Sequence, residues 1–322
     1  MKYGCYAAKA KDEALRMKSS SGGLFSLFAL AILRRGGVVF GAAWNVERQR
    51  VEHRAIMDEE ELEVLRGSKY VRSSLADSFD RCKEFLASGR EVLFCGTPCQ
   101  IAALKKFVGG NQQKLSTIDI VCAGAPPAEV LKAFVDSERK GRAVFDVRFR
   151  DKSLGWHCKT LAYRFDSGWE ESVAQVAYYG AWNDGITLAA SCFDCKFNNF
   201  RSGSDVLIGD AWGADVFAPE MRDEKGLSVV FLNTANGVRM WDEIAPFIQC
   251  RPIDPEKAIA RNRPICRTKE MTASLLAKRE LFWQKVRAGG NIYSLCREYV
   301  RPTFVQRMHK ILGRIKRSVL GG

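Results

Sequence analysis

Residues 91–122 decide the fold: EVLFC at 91–95, GTPC at 96–99, QIAALKKFV at 100–108 and STIDIVC at 116–122. The first apolar run is short enough for a buried strand. Gly96-Thr97-Pro98-Cys99 is a turn, residues 100–108 carry a helical pattern, and residues 116–122 form a second strand. A strand, a helix and a strand in this order imply two adjacent parallel strands. Ligands of open α/β sheets sit beyond the carboxyl ends of such strands. Cys99 and Cys122 both fall at that edge, which lets them face one ligand.

Outward toward the N-terminus, residues 38–43 read as another buried strand and residues 24–33 as a buried helix. Ser19-Ser20-Ser21-Gly22-Gly23 precedes that helix, and Gly36-Gly37 ends it. Residues 58–65 suit a short acidic helix and residues 75–88 a longer one. Toward the C-terminus, Ala123-Gly124-Ala125-Pro126-Pro127 leads into a helix over 128–139. The pattern then changes. Residues 144–149, 160–165 and 171–176 read as strands without intervening helices, with a hairpin turn at Asp166-Ser167-Gly168. A helix over 178–190 precedes the sequence SCFDCKF at 191–197. Strands at 205–208 and 226–233 and a helix at 237–244 follow, and the chain is helical and basic from residue 255. The expected class is mixed α/β: a parallel βαβ core, an added mostly antiparallel region and a helical C-terminus. The expected division is 1–143, 144–265 and a basic helical tail at 266–322.

Composition supports a folded, well-cored chain. The 322 residues are 47% apolar and 27% charged, which excludes disordered, collagen-like and mucin-like classes. No run approaches the ~20 apolar residues of a membrane-spanning helix. The start of the chain shows no signal-peptide pattern, so the default expectation is a cytoplasmic location. Of the net charge of +13, residues 251–322 hold 17 Lys and Arg against 5 Asp and Glu, a net +12. The body is therefore nearly neutral, and nucleic-acid binding by it is not suggested.

Eleven cysteines is an odd number, unsuited to a full disulfide framework. In a reducing compartment such thiols point to metal, cluster or catalysis. Cys192 and Cys195 form a C-x-x-C, a spacing that zinc, an iron–sulfur cluster and a dithiol switch all use. The dithiol reading wants a thioredoxin-like βαβ context, whereas this pair follows a helix. A zinc or cubane site needs four ligands, and Cys99 and Cys122 make the best second pair. His53, His157 and His309 do not stand at ligand spacing from a cysteine. Cys95 reads as a core thiol. Cys5, Cys82, Cys158, Cys250, Cys266 and Cys296 read as structural, with Cys95 or Cys158 as substitute ligands.

Three polar loops have both a bland and a functional reading. Ser19–Gly23 is a helix cap or a phosphate cradle. Gly67-Ser68-Lys69 is a helix C-cap with a solvated lysine or an anion site. Arg150-Asp151-Lys152 is a solvated loop or a cofactor-phosphate contact. The dinucleotide fingerprint GxGxxG and the Walker A motif are both missing.

Seven motifs appear in one order: SSSGG at 19–23, RGSKY at 66–70, GTPCQ at 96–100, VCAG at 121–124, FRDK at 149–152, SCFDCKF at 191–197 and DAWG at 210–213. Together they resemble the coenzyme F420 hydrogenase/dehydrogenase beta-subunit family, over roughly residues 3–265. The resemblance implies an iron–sulfur flavoprotein that binds FAD and one [4Fe–4S] cluster. It would pass electrons between the cluster and a deazaflavin or another acceptor. The implied cluster ligands are Cys99, Cys122, Cys192 and Cys195. The implied flavin contacts are Ser20, Ser21, Gly22, Gly23, Ser68, Lys69, Gly96, Thr97 and Pro98. Lys69 is expected to neutralise flavin or phosphate charge. Many relatives carry an additional ferredoxin-like segment with further C-x-x-C-x-x-C runs. Here the expectation is a separate ferredoxin or redox subunit as electron partner. Bacterial relatives of this shape also resemble those found with surface-polysaccharide synthesis genes.

Two other classes compete with a redox enzyme. One is a zinc-stabilised binding or scaffold protein of the same fold. The other is a transferase on glycan precursors, which rests on context and on no residue. The basic stretch 297–317, with Phe304, Val305, Met308, Ile311, Leu312 and Ile315 at helical spacing, is a candidate for contact with an anionic membrane surface. Its bland reading is a solvated or partner-docked terminal helix.

Overall fold

The computed structural model describes residues 3–110 and 112–300. Eleven strands are described: β1 (Cys5–Ala10), β2 (Val38–Asn45), β3 (Arg50–Ile56), β4 (Val92–Gly96), β5 (Leu115–Ile120), β6 (Asp146–Arg150), β7 (Lys159–Phe165), β8 (Gly168–Glu171), β9 (Val206–Asp210), β10 (Ser228–Leu232) and β11 (Ile248–Pro252). Eight of them make one sheet in the order β11-β1-β10-β9-β5-β4-β2-β3. Its centre is parallel, because β2 pairs with β4, β4 with β5, and β5 with β9 in that sense. Both flanks are antiparallel. The unit at 91–122 is the expected βαβ crossover, with helix Pro98–Val108 between β4 and β5.

Alternation along the strands sends side chains to opposite faces. Val39 and Leu93 join Phe28 and Trp241 on one face, under helices Leu24–Arg34 and Ala235–Ile244. Val38, Phe40, Val92 and Phe94 meet Ile101, Leu104 and Cys82 on the other, under helices Ser78–Ala87 and Pro98–Val108. Farther along the sheet Val229 and Phe231 face Trp156 and Phe217. The sheet is thus covered on both sides, as parallel strands require.

The second sheet has the order β6-β7-β8 and is antiparallel. Its hairpin turns at Asp166-Ser167, as expected, but the third strand covers Gly168–Glu171 rather than 171–176. The next helix starts at Gln175 and ends at Asn183. Buried Ala177, Tyr178 and Ala181 set its inner face, so helical periodicity overrides the short alternation at 171–176. Strands β1, β3 and β11 had no expectation attached.

The division of the chain at residue 143 does not divide the large sheet. Strands β9, β10 and β11 lie beyond that point, yet β1 pairs with β10 and β11. Residues 266–300 of the expected basic helical tail are helical and packed on the body. Helices Ala273–Arg287 and Ile292–Tyr299 bury Phe282, Leu295 and Cys296 in a core with Phe134 and Tyr178. Phe134 and Tyr293 meet edge to face at 5.0 Å. The apolar positions on these helices are what dock them. The stretch from 301 to 317 lies outside the described residues. Among the described residues no helix is long and apolar enough to cross a membrane.

Candidate functional site

Three loops leave the carboxyl edge of the parallel block. The first follows β4, where Thr97 starts helix Pro98–Val108 and Pro98 occupies its first turn, a position that needs no N–H. Cys99 then lies in that turn. The second follows β5 and carries Cys122 and Gly124. The third follows β9 and begins the DAWG stretch at Asp210. All three border one cavity of about 660 Å³, lined by Cys99, Cys122 and Asp210 among others. That volume lies within the range of cofactor and small-ligand sites.

The C-x-x-C turn reaches the same cavity from the 3₁₀ turn Ala190–Cys192. Cys192 lines the cavity, while Cys195 is half-buried and lies beyond its wall. The turn is pinned against the loop after β5. Ala189 N–H donates to Ala125 O at 3.2 Å, and Trp182 Nε1 donates to Gly124 O at 3.0 Å. A Cβ on Gly124 would stand 3.0 Å from Cys192 Cβ, and Gly124 has φ +89°. Burial pushes the Cys122 thiol up to about 12. A Gly124 backbone hydrogen bond opposes this, and Cys192, Cys99 and Cys195 act in the same direction as burial. The other three thiols therefore stand near enough to Cys122 to disfavour its charge. Among the described residues no group of three or more His, Cys, Asp or Glu gathers tightly enough to hold a single metal ion.

Two loops expected to contact a flavin touch each other. Ser68 N–H donates to Ser20 Oγ at 2.6 Å, joining segments 48 residues apart in sequence. Ser20, Ser21, Gly23, Ser68, Lys69, Gly96 and Thr97 all line the cavity. Gly22 and Pro98 do not. Gly22 is pressed onto the sheet, where a Cβ would meet Ala8 O at 2.5 Å, and its N–H donates to Ser228 Oγ at 3.0 Å. Pro98 is buried under its helix. Burial pulls Lys69 down to about 8, with Asp146, Cys95 and Glu63 opposing. Its Nζ donates to Arg66 O at 2.6 Å.

The Arg150-Asp151-Lys152 stretch is engaged within the protein rather than offered to a phosphate. Arg150 pairs with Asp210 at 2.7 Å. Lys152 Nζ donates to the carbonyls of Arg16, Ser21 and Lys225 at 2.6–2.8 Å. It thereby braces the serine loop from behind. Cys95 is half-buried, lines the cavity and is pushed by burial to about 12.

His53, Arg279 and Lys159 carry no sequence signal, whereas Thr97 and Gln100 belong to the GTPCQ motif. His53 on β3 is buried beside the cavity, and burial lowers it to about 4. Its Nε2 lies 3.0 Å from Cys95 O and its Nδ1 3.0 Å from Ser73 Oγ. Gln100 Nε2 donates to Ser73 Oγ at 3.0 Å, and Gln100 Oε1 accepts from Thr97 N–H at 2.9 Å. Thr97 Oγ1 lies 3.2 Å from Cys99 Sγ. Arg279, from the C-terminal helices, donates to the carbonyls of Gly185, Ile186 and Leu188, and its guanidinium lies 4.6 Å from the Phe193 ring centroid. Lys159 also lines the cavity, 4.6 Å from the Trp182 ring centroid. Arg279 lies 87 residues from Cys192 in sequence, and His53 lies 46 residues from Cys99. Only the fold brings them near.

Comparisons with known proteins identify the family and the fold. The family model for the C-terminal part of the coenzyme F420 hydrogenase/dehydrogenase beta subunit matches residues 89–256. The model for the N-terminal part of the same beta subunit matches residues 5–79. None of the curated proteins matches the chain. Among solved structures, the fold is similar to a chain from the xenon-derivatised F420-reducing [NiFe] hydrogenase complex of Methanosarcina barkeri. The TM-score is 0.54 at 17% identity, covering 81% of this chain and 90% of that one.

Proposed function

This chain belongs to the coenzyme F420 hydrogenase/dehydrogenase beta-subunit family, and from that premise we propose that it is an iron–sulfur flavoprotein. The family makes it an oxidoreductase. The finer reading is that it relays electrons between one [4Fe–4S] cluster and FAD, to or from coenzyme F420 or another acceptor. A ferredoxin or a second redox subunit would be its electron partner, and a surface-polysaccharide pathway is the proposed setting. The observation that carries this reading is the convergence of two residue sets on one cavity. Cys99, Cys122 and Cys192 line it together with Ser20, Ser68, Lys69 and Thr97.

The donor chemistry fits the proposed groups. Four neighbouring thiols are soft ligands of the kind iron–sulfur clusters take. A cluster has a multi-atom core, so its ligands need not gather round one point as those of a zinc ion must. Cys99, Cys122, Cys192 and Cys195 would hold it, and metal would drive their deprotonation against the burial that now keeps Cys122 protonated. For the flavin, Ser20 and Ser68 form one wall and Lys69 supplies positive charge. The serine loop precedes the N-terminus of helix Leu24–Arg34, where the partial positive charge of the backbone favours a phosphate. A flavin held there would supply hydride exchange with a substrate and single-electron exchange with a cluster.

The test is anaerobic purification of the full chain, with iron, sulfide, zinc and flavin measured on one sample. About four irons and four sulfides with one FAD per chain support the relay. Zinc without flavin overturns it in favour of a non-redox binding protein of the same fold.

A further inference from the structure

The hydrogen-bond chain ending at Cys99 has a polarity that its partners determine. Gln100 Oε1 faces the Thr97 N–H, a donor, so the side-chain amide is oriented with its oxygen there. Its nitrogen then donates to Ser73 Oγ. The Ser73 hydrogen is left for His53 Nδ1. His53 therefore carries its proton on Nε2 and gives it to the Cys95 carbonyl. Each of these groups has one role left to it. The exception is the Thr97 hydroxyl, whose single hydrogen has two acceptors in reach: Gln100 Oε1 at 3.0 Å and Cys99 Sγ at 3.2 Å.

We propose that Thr97 is a positioning residue for the redox site, its hydroxyl donating to the Cys99 sulfur and setting the reduction potential of the group bound there. The inference rests on the reading of Cys99 as a cluster ligand. A metal-bound cysteine sulfur can only accept, so the hydrogen goes to it. Gln100 Oε1 tolerates the loss because it keeps the Thr97 N–H. The Ser73–His53 arm holds the Gln100 amide in place, so that it cannot turn its nitrogen toward Thr97. Hydrogen bonds to ligand sulfurs stabilise the more negative, reduced cluster and raise its potential.

The experiment compares the full-length wild type, Thr97→Val and Thr97→Ser, purified anaerobically, by iron and sulfide content and by EPR-monitored redox titration. Thr97→Val removes the hydroxyl at constant shape. It is expected to keep its iron and to shift the midpoint negative, with about a tenfold lower reduced-to-oxidised ratio at a fixed potential, about 59 mV for one electron. Thr97→Ser is expected to titrate with the wild type. A loaded Thr97→Val protein with the wild-type midpoint overturns the inference alone. A wild-type chain that takes up neither iron nor sulfide overturns the cluster reading and the inference together. Resonance Raman of the loaded wild type needs no variant: an Fe–S(Cys) stretch that moves in D₂O supports the bond, and unmoved stretches overturn it.

Discussion

Gly124 and Cys192 approach so closely that a Cβ on Gly124 would stand 3.0 Å from Cys192 Cβ and 3.0 Å from Leu188 Cδ2. The contact joins the end of the parallel block to the C-x-x-C turn, and only glycine is comfortable at its φ of +89°. Gly124→Val is therefore expected to displace Cys192 while leaving the sheet folded. Iron content should fall at least severalfold with an unchanged far-UV circular dichroism spectrum. Full iron loading in this variant would show that Cys192 does not need that position.

The four candidate ligands separate from the other thiols by a simple series. Cys99→Ser, Cys122→Ser, Cys192→Ser and Cys195→Ser should each lose most of the bound iron. Cys95→Ser should retain it, although Cys95 lines the same cavity. A Cys95→Ser protein without iron, beside a loaded Cys195→Ser protein, would exchange their roles.

Arg279 fastens the segment before the C-x-x-C turn by donating to three main-chain carbonyls, and it is only 6% exposed. Arg279→Met keeps much of the packing and leaves those acceptors unpaired. A loss of about 3 kcal/mol in urea unfolding is expected, at the usual cost of unmade buried hydrogen bonds. A loss below about 0.5 kcal/mol would mean that the carbonyls find other donors.

His53 makes stability depend on pH. Its ordinary value is 6.5 and burial lowers it to about 4 in the folded chain. Between these values the unfolded chain takes up a proton that the folded chain refuses. Stability therefore falls as the pH drops from about 6.5 to about 4, then levels off. The whole effect is about 3 kcal/mol, of which about 2 kcal/mol is gone by pH 5. His53→Gln should unfold with a shallower dependence between pH 7 and pH 5. Equal slopes for the two proteins would place the proton elsewhere.

Lys69 lines the cavity and directly follows Ser68, whose N–H donates to Ser20 Oγ. Lys69→Met is expected to weaken FAD binding about tenfold, a typical effect of removing one charge contact to an anionic group. The check is flavin retained after gel filtration together with a direct titration of the apo chain. Unchanged affinity would leave Lys69 as a cap on the Arg66 carbonyl and nothing more.

Much of this protein is readable from local pattern. The run at 91–122 shows its βαβ unit because strand length, a proline-containing turn and helical periodicity are properties of neighbouring residues. The C-x-x-C at 192 and 195 is visible for the same reason, and the family resemblance needed only the order of short motifs. Local pattern misjudged residues 171–176, where a brief alternation preceded a helix whose buried face lies farther on. It also placed Arg150 and Lys152 as candidate phosphate contacts, whereas tertiary contacts turn both inward. The pairing of β1 with β10 and β11, the docking of helices 273–287 and 292–299, the contact of Ser20 with Ser68 and the chain from His53 to Cys99 were decided by tertiary structure alone. Each joins residues far apart in sequence, and which distant partners meet depends on how covered faces pack and which buried polar groups must be satisfied. The sequence by itself determined which chemistries the chain carries. The fold decided that Cys99, Cys122 and Cys192 share one cavity with Ser20, Ser68 and Lys69, and which buried side chains surround them there.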